Sequence, residues 1–102
     1  LKDQATPDWK AAEEALTTAI KLRGPSEDFG YLYYELNRAI CRIMLDEAFK
    51  QGKQSDLGVK ATILADLRIA CQYGLDDVVQ REDVLVRWLA LNKVSGTSLV
   101  RG

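Results

Sequence analysis

Apolar residues recur about every three to four positions from Trp9 to Leu91, and this helical spacing is almost uninterrupted. Proline, the strongest helix breaker, occurs only twice, at Pro7 and Pro25, and each stands where a helical pattern begins. No segment sustains the alternation of a half-buried strand. The sequence therefore predicts an all-α fold, an antiparallel bundle of about four or five helices.

The helical pattern falls into segments separated by turn residues. The predicted helices cover about residues 9–23, 27–50 and 56–73, with a short turn from Asp76 and a last helix from Glu82. Gly74 is the predicted stop of the third of these helices, and Leu75 is the apolar residue that often follows such a stop.

Residues 94–102 show no helical period, and we expect a flexible tail or a linker to a larger chain there. Residues 1–93 are predicted to form a single α-helical domain, which suits a chain of 102 residues. Because the sequence does not begin with Met, we expect it to be part of a longer protein.

Composition argues against several classes of function. The 14 Lys and Arg residues nearly balance the 15 Asp and Glu residues, so neither nucleic acid nor a membrane surface is expected as a partner. The chain contains no histidine, the commonest general base and metal ligand. Adjacent carboxylates on a helix point in different directions, and no glycine-rich phosphate loop is present. We therefore expect no catalytic residues, no metal site and no cofactor, and hence not an enzyme.

Two cysteines, Cys41 and Cys71, lie on different predicted helices. They form no disulfide framework, which would need more cysteines in so small a domain. We expect two buried thiols in a reducing compartment, and therefore a cytoplasmic protein. A disulfide between them is the less favoured alternative.

The first helix carries a more specific pattern. An aromatic residue, a small residue, a large residue and an alanine follow one another at Trp9, Ala12, Leu16 and Ala19, and Pro25 ends the segment. This pattern resembles the second helix of a tetratricopeptide repeat, and the resemblance extends over about residues 8–73 as a degenerate unit. A generic antiparallel helical bundle is the alternative, because it requires nearly the same spacing.

The resemblance implies a concave groove on the second helix that binds a peptide or a partner helix. The residues that would line this groove are Tyr31, Tyr34, Glu35, Arg38, Cys41 and Arg42. Arg38 and Arg42 are one turn apart, a spacing that allows them to hold a carboxylate between them. In the alternative, these arginines pair in water with Glu35 and Asp46.

These observations predict a non-catalytic protein–protein interaction module within a larger protein, an adaptor whose partner is a protein or peptide that carries acidic groups. The predicted partner-binding residues are Tyr31, Tyr34, Glu35, Arg38 and Arg42. The alternative is a structural or oligomerising helical domain, acting in cis as a spacer or regulatory cap or in trans as a homodimer.

Overall fold

All regular secondary structure in the described part of the chain is helical. A computed structural model describes residues 7–24 and 29–101. The helices are α1 (Trp9–Arg23), α2 (Phe29–Leu45), α3 (Glu47–Lys50), α4 (Leu57–Gln72), α5 (Asp76–Arg81), α6 (Asp83–Leu91) and α7 (Gly96–Arg101). The predicted all-α class is confirmed, whereas the repeat architecture stays a prediction.

The apolar core lies among α2 and the helices that follow it, and α1 contributes no residue to this core. Its largest fully buried apolar side chains are Trp88, Ile43, Ile63, Leu67 and Leu85. Neither this core cluster nor the side chains packed against it include a residue of α1. α1 packs chiefly on α2, which in turn packs on α4. Thus α1 covers the outer side of α2 without entering the core.

The long second helix predicted to reach Lys50 is interrupted at Asp46. The backbone of Asp46 is extended. The Asp46 carboxylate accepts hydrogen bonds from the Ala48 amide at 3.2 Å and the Ser55 hydroxyl at 2.5 Å. A short acidic side chain competes with the helix for backbone donors in this way. The interruption separates α3 from α2, so the prediction of one continuous helix was wrong.

The helix ends predicted from turn residues are confirmed at Gly74 and Glu82. Gly74 has φ +90°, and its amide donates to the Cys71 carbonyl, while the Leu75 amide donates to the Ala70 carbonyl at 2.9 Å. This pair of bonds is a Schellman motif, with Leu75 buried after the glycine. Glu82 adopts an extended backbone between α5 and α6, so two helices form as expected.

A buried polar network joins the loop before α4 to α6. The indole N–H of Trp88 donates to the Ser55 hydroxyl at 3.0 Å, and the Ser55 amide donates to Asn92 Oδ1 at 2.8 Å. Asn92 in turn donates through Nδ2 to the Trp88 carbonyl. Because each group has a partner, Trp88 is wholly buried without leaving a polar atom unsatisfied.

Residues 96–101 form a helix where we expected an aperiodic tail, so that expectation was wrong. The segment is too short to display a helical period in the sequence. Among its described side chains, Leu99 joins the core cluster and is 2% exposed. The connection of this segment to a larger chain stays a prediction.

Replacing Leu99 tests the docking of α7. We expect Leu99→Ala to lower the free energy of unfolding by about 2–4 kcal/mol, because it empties a buried leucine site. The matched control is Leu57→Ala, the same change at a side chain that is 83% exposed, for which we expect less than about 0.5 kcal/mol. Urea unfolding measures both, and equal effects would contradict a docked α7.

Candidate functional site

A cluster of charged side chains joins α1, α2 and α4. At its centre is Asp66 of α4, which is 1% exposed. Arg38 of α2 holds both oxygens of this carboxylate, with Nε 2.9 Å from Oδ2 and Nη2 2.7 Å from Oδ1. A bidentate pair of this kind is among the strongest polar contacts in proteins, and it fixes the orientation of both side chains.

Arg42, one turn further along α2, connects the same carboxylate to α1. Its Nη1 lies 3.2 Å from Oδ2 of Asp66, and its Nε donates to Oε2 of Glu13 at 2.9 Å. Arg38 also reaches α1, because its Nη1 lies 3.3 Å from the Thr17 hydroxyl. We call Glu13, Thr17, Arg38, Arg42 and Asp66 the arginine cluster.

A second charged contact holds the carboxyl-terminal end of α1. Arg23 donates to both carboxylate oxygens of Glu35, at 3.1 and 2.5 Å, and Glu35 is 2% exposed. The guanidinium also stacks over the ring of Tyr34, with its central carbon 5.8 Å from the ring centroid. Charged contacts therefore anchor α1 along its length.

The charges in these contacts stabilise one another. The hydrogen bond from Arg42 lowers the pKa of Glu13, against the effect of burial and with help from Lys10. The bonds to Asp66 and Glu35 raise the pKa values of Arg38 and Arg23, respectively. Glu13 and both arginines are thus held in their charged forms.

The structure brings four of the five predicted partner-binding residues to the contacts beneath α1, while the side chain of Tyr31 lies outside the described side chains. Tyr34 and Glu35 meet Arg23, and Arg38 and Arg42 do hold a carboxylate between them, but it belongs to Asp66. The alternative pairing of these arginines with Glu35 and Asp46 is not the one found. Their role in binding a partner stays a prediction.

Sequence reasoning missed Asp66, although its position in the sequence carries a signal. Asp66 falls within the apolar spacing of α4, between the core residues Ile63, Leu67 and Ala70. A carboxylate on a core-facing stripe is rarely buried without a partner, so its position indicates an ion pair with a neighbouring helix.

Both thiols are buried, as predicted. Cys41 is 4% exposed and Cys71 is 9% exposed, and neither forms a disulfide. Burial raises the pKa of each thiol, with a further contribution from Glu13 at Cys41 and from Asp76 at Cys71. Both therefore remain protonated and weakly nucleophilic in the folded chain.

An open groove of about 530 Å³ lies between α3 and α6. Its lining consists of Phe49, Lys50, Gly52, Arg87, Ala90 and Leu91. The guanidinium of Arg87 lies over the Phe49 ring, 5.3 Å from its centroid. We call this feature the Phe49 groove; its lining is apolar with two cations and no carboxylate. Sequence reasoning missed it, because the groove depends on the interruption of the second helix at Asp46.

The described residues show neither a metal-binding group nor a membrane-spanning helix. Within residues 7–24 and 29–101, no three acidic, cysteine or histidine side chains gather as a metal-binding group would. No helix in these ranges has both the length and the apolar character needed to cross a bilayer.

Comparison with known proteins leaves the family open. No family model, no curated protein and no solved structure matches this chain.

The arginine cluster makes a direct prediction about stability. We expect Asp66→Asn to lower the free energy of unfolding by about 3 kcal/mol, because it leaves Arg38 and Arg42 facing a neutral amide in a buried site. Asp77→Asn, at an exposed position, is the matched control and should change it by less than about 0.5 kcal/mol. Chemical denaturation at neutral pH measures both, and a control-sized effect at Asp66 would contradict the central role of its carboxylate.

The lowered pKa of Glu13 makes its contribution depend on pH. Its contact with Arg42 is fully present above the ordinary pKa of 4.5 and is lost as the pH falls through the lower folded value. We therefore expect wild type to exceed Glu13→Gln in unfolding free energy at neutral pH, and this difference to shrink below pH 4.5. Denaturant titrations of both proteins across this range test it, with the exposed neighbour Glu14→Gln as control. A constant difference would argue against the ionised contact.

Proposed function

We propose that this chain is a non-catalytic protein–protein interaction module that binds an apolar and acidic segment of its partner in the Phe49 groove. The observation that carries the proposal is the composition of the groove, an apolar floor between Lys50 and Arg87 with no carboxylate among its lining residues. Such a surface suits an apolar side chain flanked by carboxylates.

The apolar part of this surface continues along α6. Val86, 42% exposed, and Ala90, one turn later, form an uncovered stripe. Ala90 also lines a second shallow groove of about 400 Å³ beside Val94 and Leu89. Contiguous exposed apolar surface supports an interaction site more strongly than scattered apolar residues do.

The cations at the groove are available to a partner because their present ion pairs are weak. Arg87 pairs with Asp83 at 3.0 Å and Lys50 with Glu47 at 3.1 Å, and all four side chains are more than half exposed. Ion pairs in water contribute only about 0–1 kcal/mol, so a partner's carboxylate can replace the internal one at little cost. Arginine is also one of the residue types enriched at interface hot spots.

The α2 arginines are less suited to this task. Arg38 and Arg42 already share the buried carboxylate of Asp66, and a partner would have to displace a bidentate contact. Charge reversal at these arginines would also place carboxylates against Asp66 and destabilise the fold. They are therefore unsuitable probes of binding, whereas Arg87 is an exposed one.

Finer parts of the proposal are a tetratricopeptide-like architecture and a cytoplasmic location. The pattern over about residues 8–73 supports the first. Two free, buried thiols are compatible with a reducing compartment and support the second.

Site-specific photo-cross-linking in the native host tests the proposal. We expect a benzoylphenylalanine at position 90 to form an adduct with a partner protein, and position 18 on the exposed side of α1 to form none. Arg87→Glu should reduce the adduct at position 90 about tenfold or more, because a hot-spot arginine contributes at least that much to binding. Arg81→Glu, the same charge reversal at another exposed helical arginine, should leave the adduct unchanged.

The same experiment separates the alternative functions. An adduct of two copies of the chain would favour a homodimer over an acidic partner. No adduct at position 90, or equal adducts at positions 90 and 18, would favour a structural role in cis. The internally paired arginines are the observation that supports such a structural role.

A further inference from the structure

α1 differs from the other long helices in how it is attached. None of its residues is buried, and Leu22 is 81% exposed. By contrast, α2, α4 and α6 each contribute at least three side chains to the core cluster. The apolar face of α1 is only half-buried against α2, so its orientation depends on the charged contacts of Glu13 and Arg23.

Separation of α1 would break its own ion pairs to Arg42 and Glu35 but not the pairs between α2 and α4. Arg38 and Arg42 would keep Asp66, since those pairs join α2 to α4 and do not involve α1. The Glu35 carboxylate would exchange its hydrogen bonds from Arg23 for hydrogen bonds from water. Every residue of the core cluster would also remain where it is, because none of them belongs to α1.

We propose that α1 is a releasable strap, which opens as a unit from the α2 face while the rest of the described fold stays closed. This opening is a local event with a lower free energy than global unfolding, the behaviour expected of an element that has few buried apolar contacts. It would uncover the α2 face, with Glu35 and the inner side of the arginine cluster. The proposal is independent of the function assigned to the Phe49 groove.

Cys41 is a natural reporter of this opening. Its thiol is buried but does not belong to the core cluster, and Cys41 lies one helical turn from Arg38, which contacts Thr17 of α1. Cys71 belongs to the core cluster, so full exposure of its thiol requires the core to open. The same molecule therefore carries one thiol whose reaction reports the release of α1 and one whose reaction reports global unfolding.

The test is pulsed alkylation of the full chain with N-ethylmaleimide, with each thiol quantified by peptide mass spectrometry. In the wild type we expect Cys41 to react faster than Cys71. Arg23→Gln should increase the alkylation rate of Cys41 about tenfold or more and leave that of Cys71 unchanged. In this variant the closed state buries the Glu35 carboxylate without its guanidinium partner, whereas in the open state water hydrates the carboxylate, so the substitution destabilises only the closed state. Arg23 is preferred to Glu13 for this purpose because Glu13 also influences the Cys41 thiol itself.

Lys21→Gln is the matched control, since Lys21 is an exposed cation in the same last turn of α1. It removes the same charge from the same helix end, and we expect both thiols to react as in the wild type. Three results would overturn the proposal: equal acceleration of Cys41 and Cys71 in Arg23→Gln, equal acceleration of Cys41 in both variants, or no acceleration at all. Failure of Arg23→Gln to fold would also overturn it, because α1 would then be part of the cooperative core.

Discussion

The carboxylate of Asp66 determines how the first three long helices fit together. It is almost wholly buried on α4 and is held by two arginines of α2, one of them in bidentate geometry. A buried charge of this kind is tolerated only when its partners are correctly placed, so it specifies one register between the helices. The remaining donors of Arg38 and Arg42 then reach Thr17 and Glu13, and this fixes the position of α1.

The molecule therefore has two levels of organisation. Helices from α2 onward share an apolar core, strengthened by the polar network of Trp88, Ser55 and Asn92. α1 lies outside that core and is positioned by charges. The surfaces on the two sides also differ, because the α2 side is closed by internal ion pairs and the Phe49 groove is open with exposed cations. Under the proposed function, this division would keep one face available to a partner while the other is covered.

Sequence reasoning succeeded where the signal was local and failed where it depended on tertiary contacts. Apolar periodicity and turn residues such as Gly74 predicted the helical class and several helix ends, because these features arise within a few residues. The spacing of Arg38 and Arg42 allows them to share a carboxylate, which sequence reasoning assigned to a partner, whereas in the structure Asp66 of α4 supplies one. Similarly, α7 packs on the core through Leu99, and the Phe49 groove depends on two helices that are distant in sequence.

Native-state hydrogen exchange tests most directly whether α1 is an ion-paired layer on an independent core. The account predicts that amides within α1 exchange through an opening of clearly lower free energy than amides around Ile63 and Leu67 in the centre of α4. It also predicts that the α1 opening depends less on denaturant than the opening of α4, since separation of one helix exposes less surface than unfolding of the core. Equal opening free energies and equal denaturant dependence in α1 and α4 would show that α1 unfolds only with the core, and would contradict the account.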